Sequence, residues 1–190
     1  MPMRLFIAVN FDARVRDLLS EAISGFPLAR PPWRWTKPNT WHVTLKFLGE
    51  LPDADLTTIT RCMEGVAARH RAFQLDLTDF GGFPSLRRPR VLFYRADRGA
   101  DELRALAADV DQTIHDVMGI PKETKRFQAH ATVARVKTRL ERPVADRLPS
   151  VPPLTGAVQT VNSFELIKSV LHRDGARYER LKAFALPLAP

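Results

Sequence analysis

The 190-residue sequence is poor in features that several classes of protein need. It has one cysteine, Cys62, so it can close no internal disulfide and offers no cysteine cluster for zinc. No apolar run approaches the roughly 18 residues that indicate a membrane span. The first residues lack the apolar stretch and the cleavage site of a signal peptide. We therefore expect a cytoplasmic protein that has no contact with membranes.

The motifs of several large enzyme classes are also missing. Neither a P-loop nor a dinucleotide fingerprint occurs, so the use of ATP or NAD has no support. No Gly-x-Ser-x-Gly elbow indicates a serine hydrolase. No His-Glu-x-x-His element indicates zinc, and the carboxylates Glu50, Asp53 and Glu123 show no ligand spacing. We expect no metal and no cofactor.

Basic residues exceed acidic ones, 29 against 21, which gives a net charge of +8 with histidines neutral. This excess favours anionic partners, and the planar fork of arginine suits phosphate in particular. Such a charge is also compatible with a basic protein that binds no anion. No basic tail, RNP motif or zinc-finger spacing indicates a dedicated nucleic-acid module.

Hydrophobic periodicity predicts strands and helices that alternate along the chain. Strands are expected over 4–9, 41–49, 73–77, 90–94, 129–135, 156–170 and 178–186. Helices are expected from Asp12 to Gly25, with Pro27 beyond, and over 52–70, 101–118 and 143–148. The pair Gly81-Gly82 should end the third strand, and Asp174-Gly175 should form a hairpin turn. We predict a single α+β domain over residues 1–190, with antiparallel sheets and two halves that suggest a duplication.

Two stretches, His42-Val43-Thr44-Leu45 and His130-Ala131-Thr132-Val133, share the pattern His-x-Thr followed by an aliphatic residue. Side chains two positions apart in a strand face the same way, so each stretch presents an imidazole and a hydroxyl about 6.6 Å apart. A single histidine on a strand is more often structural or merely exposed. Two copies with the same spacing favour a functional role over a structural one. If the fold brings the two strands together, they form one site with two imidazoles and two hydroxyls.

Strict alternation assigns the neighbouring side chains to faces. Trp41, Val43, Leu45 and Phe47 are expected in the core, with Lys46 on the face of His42. Five residues after His130, Arg135 is expected to face away from that histidine unless a twist or bulge turns it back.

Two histidines that face one substrate suit acid–base chemistry near neutral pH. A neutral ring takes a proton from a nucleophile while a protonated ring gives one to a leaving oxygen. Cleavage of a phosphoester needs both steps, together with donors for the phosphoryl oxygens. The hydroxyls of Thr44 and Thr132 are the candidate donors.

The two motifs resemble the paired signatures of the two-histidine (2H) phosphoesterase superfamily. Further stretches resemble its bacterial and archaeal RNA 2′,3′-cyclic phosphodiesterases, also described as 2′-5′ RNA ligases, and so extend the resemblance over almost the whole chain. These stretches are 4–9, 45–50, 82–92 and 175–178. One departure is Ala129, where the family often has a proline before the second histidine. Alanine only loosens the entry to the strand.

This resemblance implies a bilobed, LigT-like α+β fold, with two antiparallel sheets around a central cleft, helices outside and pseudo-two-fold symmetry. It also implies hydrolysis of 2′,3′-cyclic phosphates to 2′-phosphomonoesters without metal. By position, His42 and His130 are the acid–base pair, with His130 assigned to water and His42 to the departing 3′ oxygen, although a symmetric site also permits the reverse order. Arg135 joins Thr44 and Thr132 as a phosphate ligand.

Three questions remain open from the sequence. Phe83 and Phe47 are candidates for stacking on a base, although core packing is the favoured role for Phe47. The same site can run in reverse as a 2′-5′ RNA ligase, or can bind RNA ends without turnover. The expected partner is RNA with a 2′,3′-cyclic phosphate end, or a small cyclic nucleotide, bound by a monomer.

Overall fold

Strands and helices alternate in the computed structural model, which describes residues 2–26, 31–172 and 175–188. Its strands are β1 (Met3–Asn10), β2 (Arg34–Trp35), β3 (His42–Leu51), β4 (Phe73–Phe83), β5 (Val91–Ala96), β6 (His130–Arg135), β7 (Ala157–Val161), β8 (Ser163–His172) and β9 (Gly175–Ala185). Its α-helices are α1 (Ala13–Ser24), α2 (Leu56–Arg69), α3 (Ala100–Met118) and α4 (Arg142–Ala145). The predicted helix stop at Pro27 and part of the predicted Asp174-Gly175 turn lie outside the described residues.

The strands form two antiparallel sheets, in the orders β3-β1-β8-β9 and β2-β6-β5-β4-β7. The two histidine motifs lie in different sheets, on β3 and β6. These two strands contact each other, so the sheets meet at the motifs. The predicted α+β class with two antiparallel sheets is confirmed.

The helices pack on the sheets through the apolar stripes that their periodicity predicts. Asp12 caps α1, where its carboxylate accepts a 2.8 Å hydrogen bond from the backbone of Val15. This helix packs on β7, whereas α2 and α3 pack on each other and on β9 and β3. Apolar side chains of both sheets and of all four helices form one core cluster. Within the described ranges, no helix is long and apolar enough to cross a membrane.

Two expectations about strand ends are wrong. Gly81 and Gly82 do not break β4, which runs on to Phe83 because Gly81 pairs with Phe93 of β5. A Cβ on Gly81 would lie 2.6 Å from two ring carbons of Phe93, so glycine makes room for that ring. The region predicted as one strand over 156–170 is two, because the chain changes sheets at Asn162.

Both histidine strands contain a β-bulge at the same place. On β3, Lys46 pairs with Ile7 and Thr44 with Ala8, which leaves Leu45 as the extra residue. On β6 the corresponding extra residue is Val133, between Thr132 and Ala134. A bulge resets the alternation of side chains, so each strand changes faces three residues after its histidine.

The bulge overturns the predicted faces of Lys46 and Phe47. Lys46 is 2% exposed and faces the core, whereas Phe47 is 54% exposed and shares the face of His42. The buried ammonium of Lys46 donates to Asp111 at 2.5 Å and to the carbonyl oxygen of Pro121 at 3.0 Å. The predicted core role of Phe47 is therefore wrong.

Candidate active site

His42 and His130 are the first residues of β3 and β6, and both are held in the same way. The Nδ1–H of His42 donates to the carbonyl oxygen of Thr40 at 2.8 Å, and that of His130 to the carbonyl oxygen of Gln128 at 2.6 Å. A carbonyl oxygen can only accept, so each Nδ1 carries a hydrogen. Each neutral ring then presents the lone pair of Nε2, the form that a general base requires.

The two Nε2 atoms differ in their partners. That of His42 lies 2.9 Å from the hydroxyl of Thr44, which donates to it while the ring is neutral. That of His130 has no hydrogen-bond partner within the part of the chain described, and no hydrogen bond holds the hydroxyl of Thr132 there. His42 and Thr44 are thus hydrogen-bonded to each other, whereas the Nε2 of His130 and the hydroxyl of Thr132 make no such bond.

Two aromatic rings flank each histidine. Phe6 and Tyr178 lie with their ring centroids 5.0 and 5.3 Å from that of His42. Phe83 and Phe93 lie 4.9 and 5.1 Å from that of His130. These contacts fix the ring orientation in the two halves in a similar way, although the flanking residues do not occupy equivalent positions in the two sheets.

Burial lowers the pKa of both imidazoles. The pKa of His42 falls to about 4: burial is the main cause, the carbonyl of Thr40 opposes the shift, and the charges of His130 and Arg135 add to it. The pKa of His130 is also lowered. Burial is the main cause, the hydrogen bond to the carbonyl of Gln128 opposes the shift, and the charge of Arg135 adds to it. The charge of Arg135 acts on both rings, and that of His130 acts on the His42 ring, so the three groups lie within electrostatic range of one another. Both shifts favour the neutral form of the imidazole.

The β6 bulge brings Arg135 to the face of His130. Strict alternation predicts that Arg135 faces away from His130 unless a bulge intervenes, and Val133 is the extra residue of such a bulge between them. Arg135 is exposed and has no carboxylate partner among the residues described. Its guanidinium is therefore available to an anion on the face of His130.

A hydrogen-bond chain links the two histidine strands. The indole N–H of Trp41 donates to the hydroxyl of Thr36 at 2.8 Å, and this hydroxyl lies 2.9 Å from the carbonyl oxygen of Val133. Trp41 directly precedes His42, and Val133 is the bulge residue of β6. The start of one strand is thereby tied to the bend in the other.

The stacking candidates take different positions. Phe47 is exposed, 5.9 Å from Phe6 between ring centroids, whereas Phe83 packs against Phe93 at 4.3 Å as well as against His130. The sequence alone assigned no role to Phe6, Phe93, Thr36 or Tyr178. Phe6 and Phe93 lie in apolar runs typical of core strands, so no sequence signal separated them from packing residues.

Within residues 2–26, 31–172 and 175–188, no three or more His, Cys, Asp or Glu side chains lie together in a group that could hold a metal ion.

Comparison with protein families gives a match over residues 9–93 to the family described as LigT like Phosphoesterase. A curated relative from Thermus thermophilus, named RNA 2′,3′-cyclic phosphodiesterase, is 33% identical over 97% of this chain and 90% of its own length. Relatives of the same name from Aeropyrum pernix and Aquifex aeolicus are 31% and 29% identical. They match 89% and 80% of this chain, and 91% and 81% of their own lengths.

Solved structures agree in fold. The crystal structure of TT0787 of Thermus thermophilus has a TM-score of 0.81 and 32% identity, covering 98% of this chain and 99% of its own. E. coli LigT complexed with 3′-AMP has a TM-score of 0.80 and 26% identity over the same shares.

Proposed function

This chain belongs to the LigT-like phosphoesterase family, and from that membership we propose that it is an RNA 2′,3′-cyclic phosphodiesterase. The proposed reaction hydrolyses a 2′,3′-cyclic phosphate end to a 2′-phosphomonoester without a metal ion. The observation that carries it is the pair of neutral histidines, each tied at Nδ1 to a backbone carbonyl and each beside a threonine.

His130 activates water in the proposed mechanism. Its open Nε2 accepts a proton from the water molecule, whose oxygen attacks phosphorus as the bond to the 3′ oxygen breaks. His42, protonated at Nε2, gives its proton to the departing 3′ oxygen. The product has a 2′-phosphate and a 3′-hydroxyl, and proton exchange with solvent restores both rings.

His42 must gain a proton before it can act as the acid. With a pKa of about 4 it is neutral in the free protein at pH 7. An anionic phosphate between the rings favours the protonated form, because an opposite charge raises the pKa of an imidazole. Protonation also replaces the lone pair that the Thr44 hydroxyl contacts, and so releases this hydroxyl toward a phosphoryl oxygen.

Arg135 and Thr132 complete the proposed phosphate site. Thr132 is half-buried and Arg135 exposed, and both lie on the face of His130. The positive charge of the guanidinium supports this role, since hydrogen bonds between charged groups are the stronger ones. Phe47 and Phe83 are proposed to stack on the base of the bound nucleotide. Phe47 is the better placed of the two because about half of its side chain is exposed.

The proposal extends to a cytoplasmic monomer, one domain of two lobes. One core cluster that joins both sheets supports the single domain. Free Cys62 suits a reducing compartment, since the chain has no other cysteine to pair with it.

The test is product analysis in excess chelator with 2′,3′-cyclic and 3′,5′-cyclic nucleotides side by side. We expect only the 2′,3′-cyclic compounds to be opened, with the 2′-phosphate as product. The reverse reaction, 2′-5′ ligation, needs an RNA 5′-hydroxyl in place of water and should be minor, because water is far more concentrated. Binding without product over hours, or a product with a 3′-phosphate, would contradict the proposal.

A further inference from the structure

We propose that a basic groove beside His42 binds the RNA strand on the 5′ side of the cyclic phosphate, and that this groove is what makes the protein prefer an oligoribonucleotide end to a free nucleotide. This inference rests on the proposed function. The basic groove encloses about 600 Å³, and its lining includes Arg34, Trp35, Lys37, Arg135, Lys137 and Tyr178. Its volume is within the range of pockets that hold small organic ligands.

The groove begins at the candidate active site. Tyr178 lines it and also contacts the His42 ring, at 5.3 Å between centroids. Thr40 lines it too, and its carbonyl oxygen holds Nδ1 of His42. Arg135 is shared as well. A ligand in the groove can therefore continue directly into the space between the histidines.

The charge of the groove is of one sign. Its described lining contains four Lys and Arg side chains and no Asp or Glu. Arg34 of β2 pairs directly with Arg135 of β6, which places both guanidinium groups on one face. Like charges directly opposite each other on adjacent strands are destabilising. No ion pair within the described parts of the chain neutralises Arg34, Lys37, Arg135 or Lys137, so the groove is suited to a ligand with several negative charges.

The chemistry of the cyclic end sets the direction of that ligand. A 2′,3′-cyclic phosphate uses both the 2′ and 3′ oxygens of the last ribose, so the chain can continue only through its 5′ oxygen. The strand therefore leaves the active site from the nucleoside side, where the next phosphodiesters meet the groove. Tyr178 and Trp35, both half-buried, are the two aromatic side chains named above in the groove lining, and aromatic side chains are where unstacked bases bind.

The test compares a 2′,3′-cyclic mononucleotide with a tetraribonucleotide that ends in a 2′,3′-cyclic phosphate. We expect kcat/KM to be at least about tenfold higher for the tetranucleotide, and about 20-fold more sensitive to a rise from 50 to 200 mM salt, as three phosphate contacts on a single strand imply. The variant Arg34→Gln/Lys37→Gln/Lys137→Gln should bring the ratio of the two kcat/KM values close to one. Arg61→Gln, an exposed charge on α2 outside the groove, is the matched control and should keep the ratio.

Binding is measured separately, by fluorescence anisotropy with a labelled tetranucleotide that ends in a 2′-phosphate. Salt-sensitive binding that the triple variant loses supports the groove even if no substrate is turned over, in which case only the proposed reaction fails. Equal kcat/KM for both substrates in the unaltered protein would overturn the groove while the reaction stands. The groove proposal would also be overturned if the triple variant bound the 2′-phosphate tetranucleotide normally and lost affinity only for an oligonucleotide with a free 5′-hydroxyl. The groove would then hold the second strand of the ligation reaction.

Discussion

Leu45 and Val133 are the extra residues of two β-bulges, and each lies three positions after the histidine of its strand. The bulges turn the fifth residue after each histidine back to the cleft face. On β3 that residue is Phe47, and on β6 it is Arg135. The repeated motif therefore delivers three side chains to the site from each strand, with an aromatic ring on one side and a positive charge on the other.

Arg135 is predicted to add to the effect of burial, which is the main cause of the lowered pKa of both histidines. Its charge lowers the pKa of His42 and of His130, so the neutral variant Arg135→Gln should raise both. Arg135→Lys keeps the charge but loses the bidentate hydrogen-bond donor, so it should change these pKa values less than Arg135→Gln does. NMR titration of the imidazole resonances measures the shift. Unchanged values in Arg135→Gln would mean that the guanidinium does not face the histidines.

The same Arg135 variants should differ in catalysis. If Arg135 binds phosphate, both should raise KM for a 2′,3′-cyclic nucleotide, with the larger effect in Arg135→Gln. A hydrogen bond to a charged group is worth about 1.5–3 kcal/mol, or roughly 10- to 150-fold. An unaltered KM in both variants would remove Arg135 from the phosphate site.

Phe47 is predicted to contribute to substrate binding rather than to stability. Its ring is 54% exposed, so Phe47→Ala should change the free energy of unfolding by less than about 1 kcal/mol. Loss of stacking on a base should raise KM about tenfold, since such stacking contributes about 1–3 kcal/mol. Val117→Ala, at a 56% exposed position of α3, is the control for a lost surface side chain. Marked destabilisation of Phe47→Ala with an unaltered KM would instead assign this ring to packing.

Gly81 is predicted to be required for the position of His130. In Gly81→Ala the new methyl group would meet the Phe93 ring at 2.6 Å, and this ring contacts His130. We expect a loss of about 1–3 kcal/mol of stability from overpacking, with a fall in kcat. Thermal unfolding and steady-state kinetics measure the two effects.

The matched control for Gly81→Ala is Gly65→Ala, on α2. A Cβ there lies 3.6 Å from Nη1 of Arg69, an ordinary contact, so the control should gain about 0.5–1 kcal/mol of stability. If Gly81→Ala gains stability in the same way and keeps its kcat, the close approach of the Phe93 ring to Gly81 is not required for stability or for catalysis.

His42 is predicted to make the fold less stable in acid. Its pKa is about 4 when folded, against 6.5 for an ordinary histidine, so between these values the unfolded chain binds a proton that the folded chain does not. Stability is therefore lost as the pH falls from about 6.5 to 4, by about 3 kcal/mol in total. Urea unfolding at several pH values should give a flatter dependence for His42→Gln than for the unaltered protein. Equal slopes would contradict the burial of a neutral ring.

Much of the fold follows from periodicity. The stripe of Leu103, Leu106, Val110, Ile114 and Val117 indicates α3. The first four side chains are buried, whereas Val117, near the end of the helix, is exposed. His42 and Thr44 share a face because nothing interrupts the alternation between them. These are local properties, and a single stretch of sequence carries each of them.

The errors begin where a partner strand decides the geometry. The bulges at Leu45 and Val133 depend on pairing with β1 and β5, which no single stretch reveals, so Lys46 and Phe47 were assigned to the wrong faces. Gly81 looked like a strand breaker because the ring that covers it, Phe93, comes from another strand. Tyr178 lies beside His42 although β9 and β3 are opposite edges of their sheet, because both rings pack against Phe6 of β1.

The central claim is that His42 and His130 act together on one phosphate, and its most direct test is turnover of a 2′,3′-cyclic nucleotide in excess chelator by His42→Ala, His130→Ala and the double variant. Each single variant should lose about 10²- to 10⁴-fold in kcat, with unfolding curves that show a folded protein. The double variant should lose little more than the slower single variant, because groups that act as one unit are not additive. Full turnover by either folded single variant would contradict the mechanism.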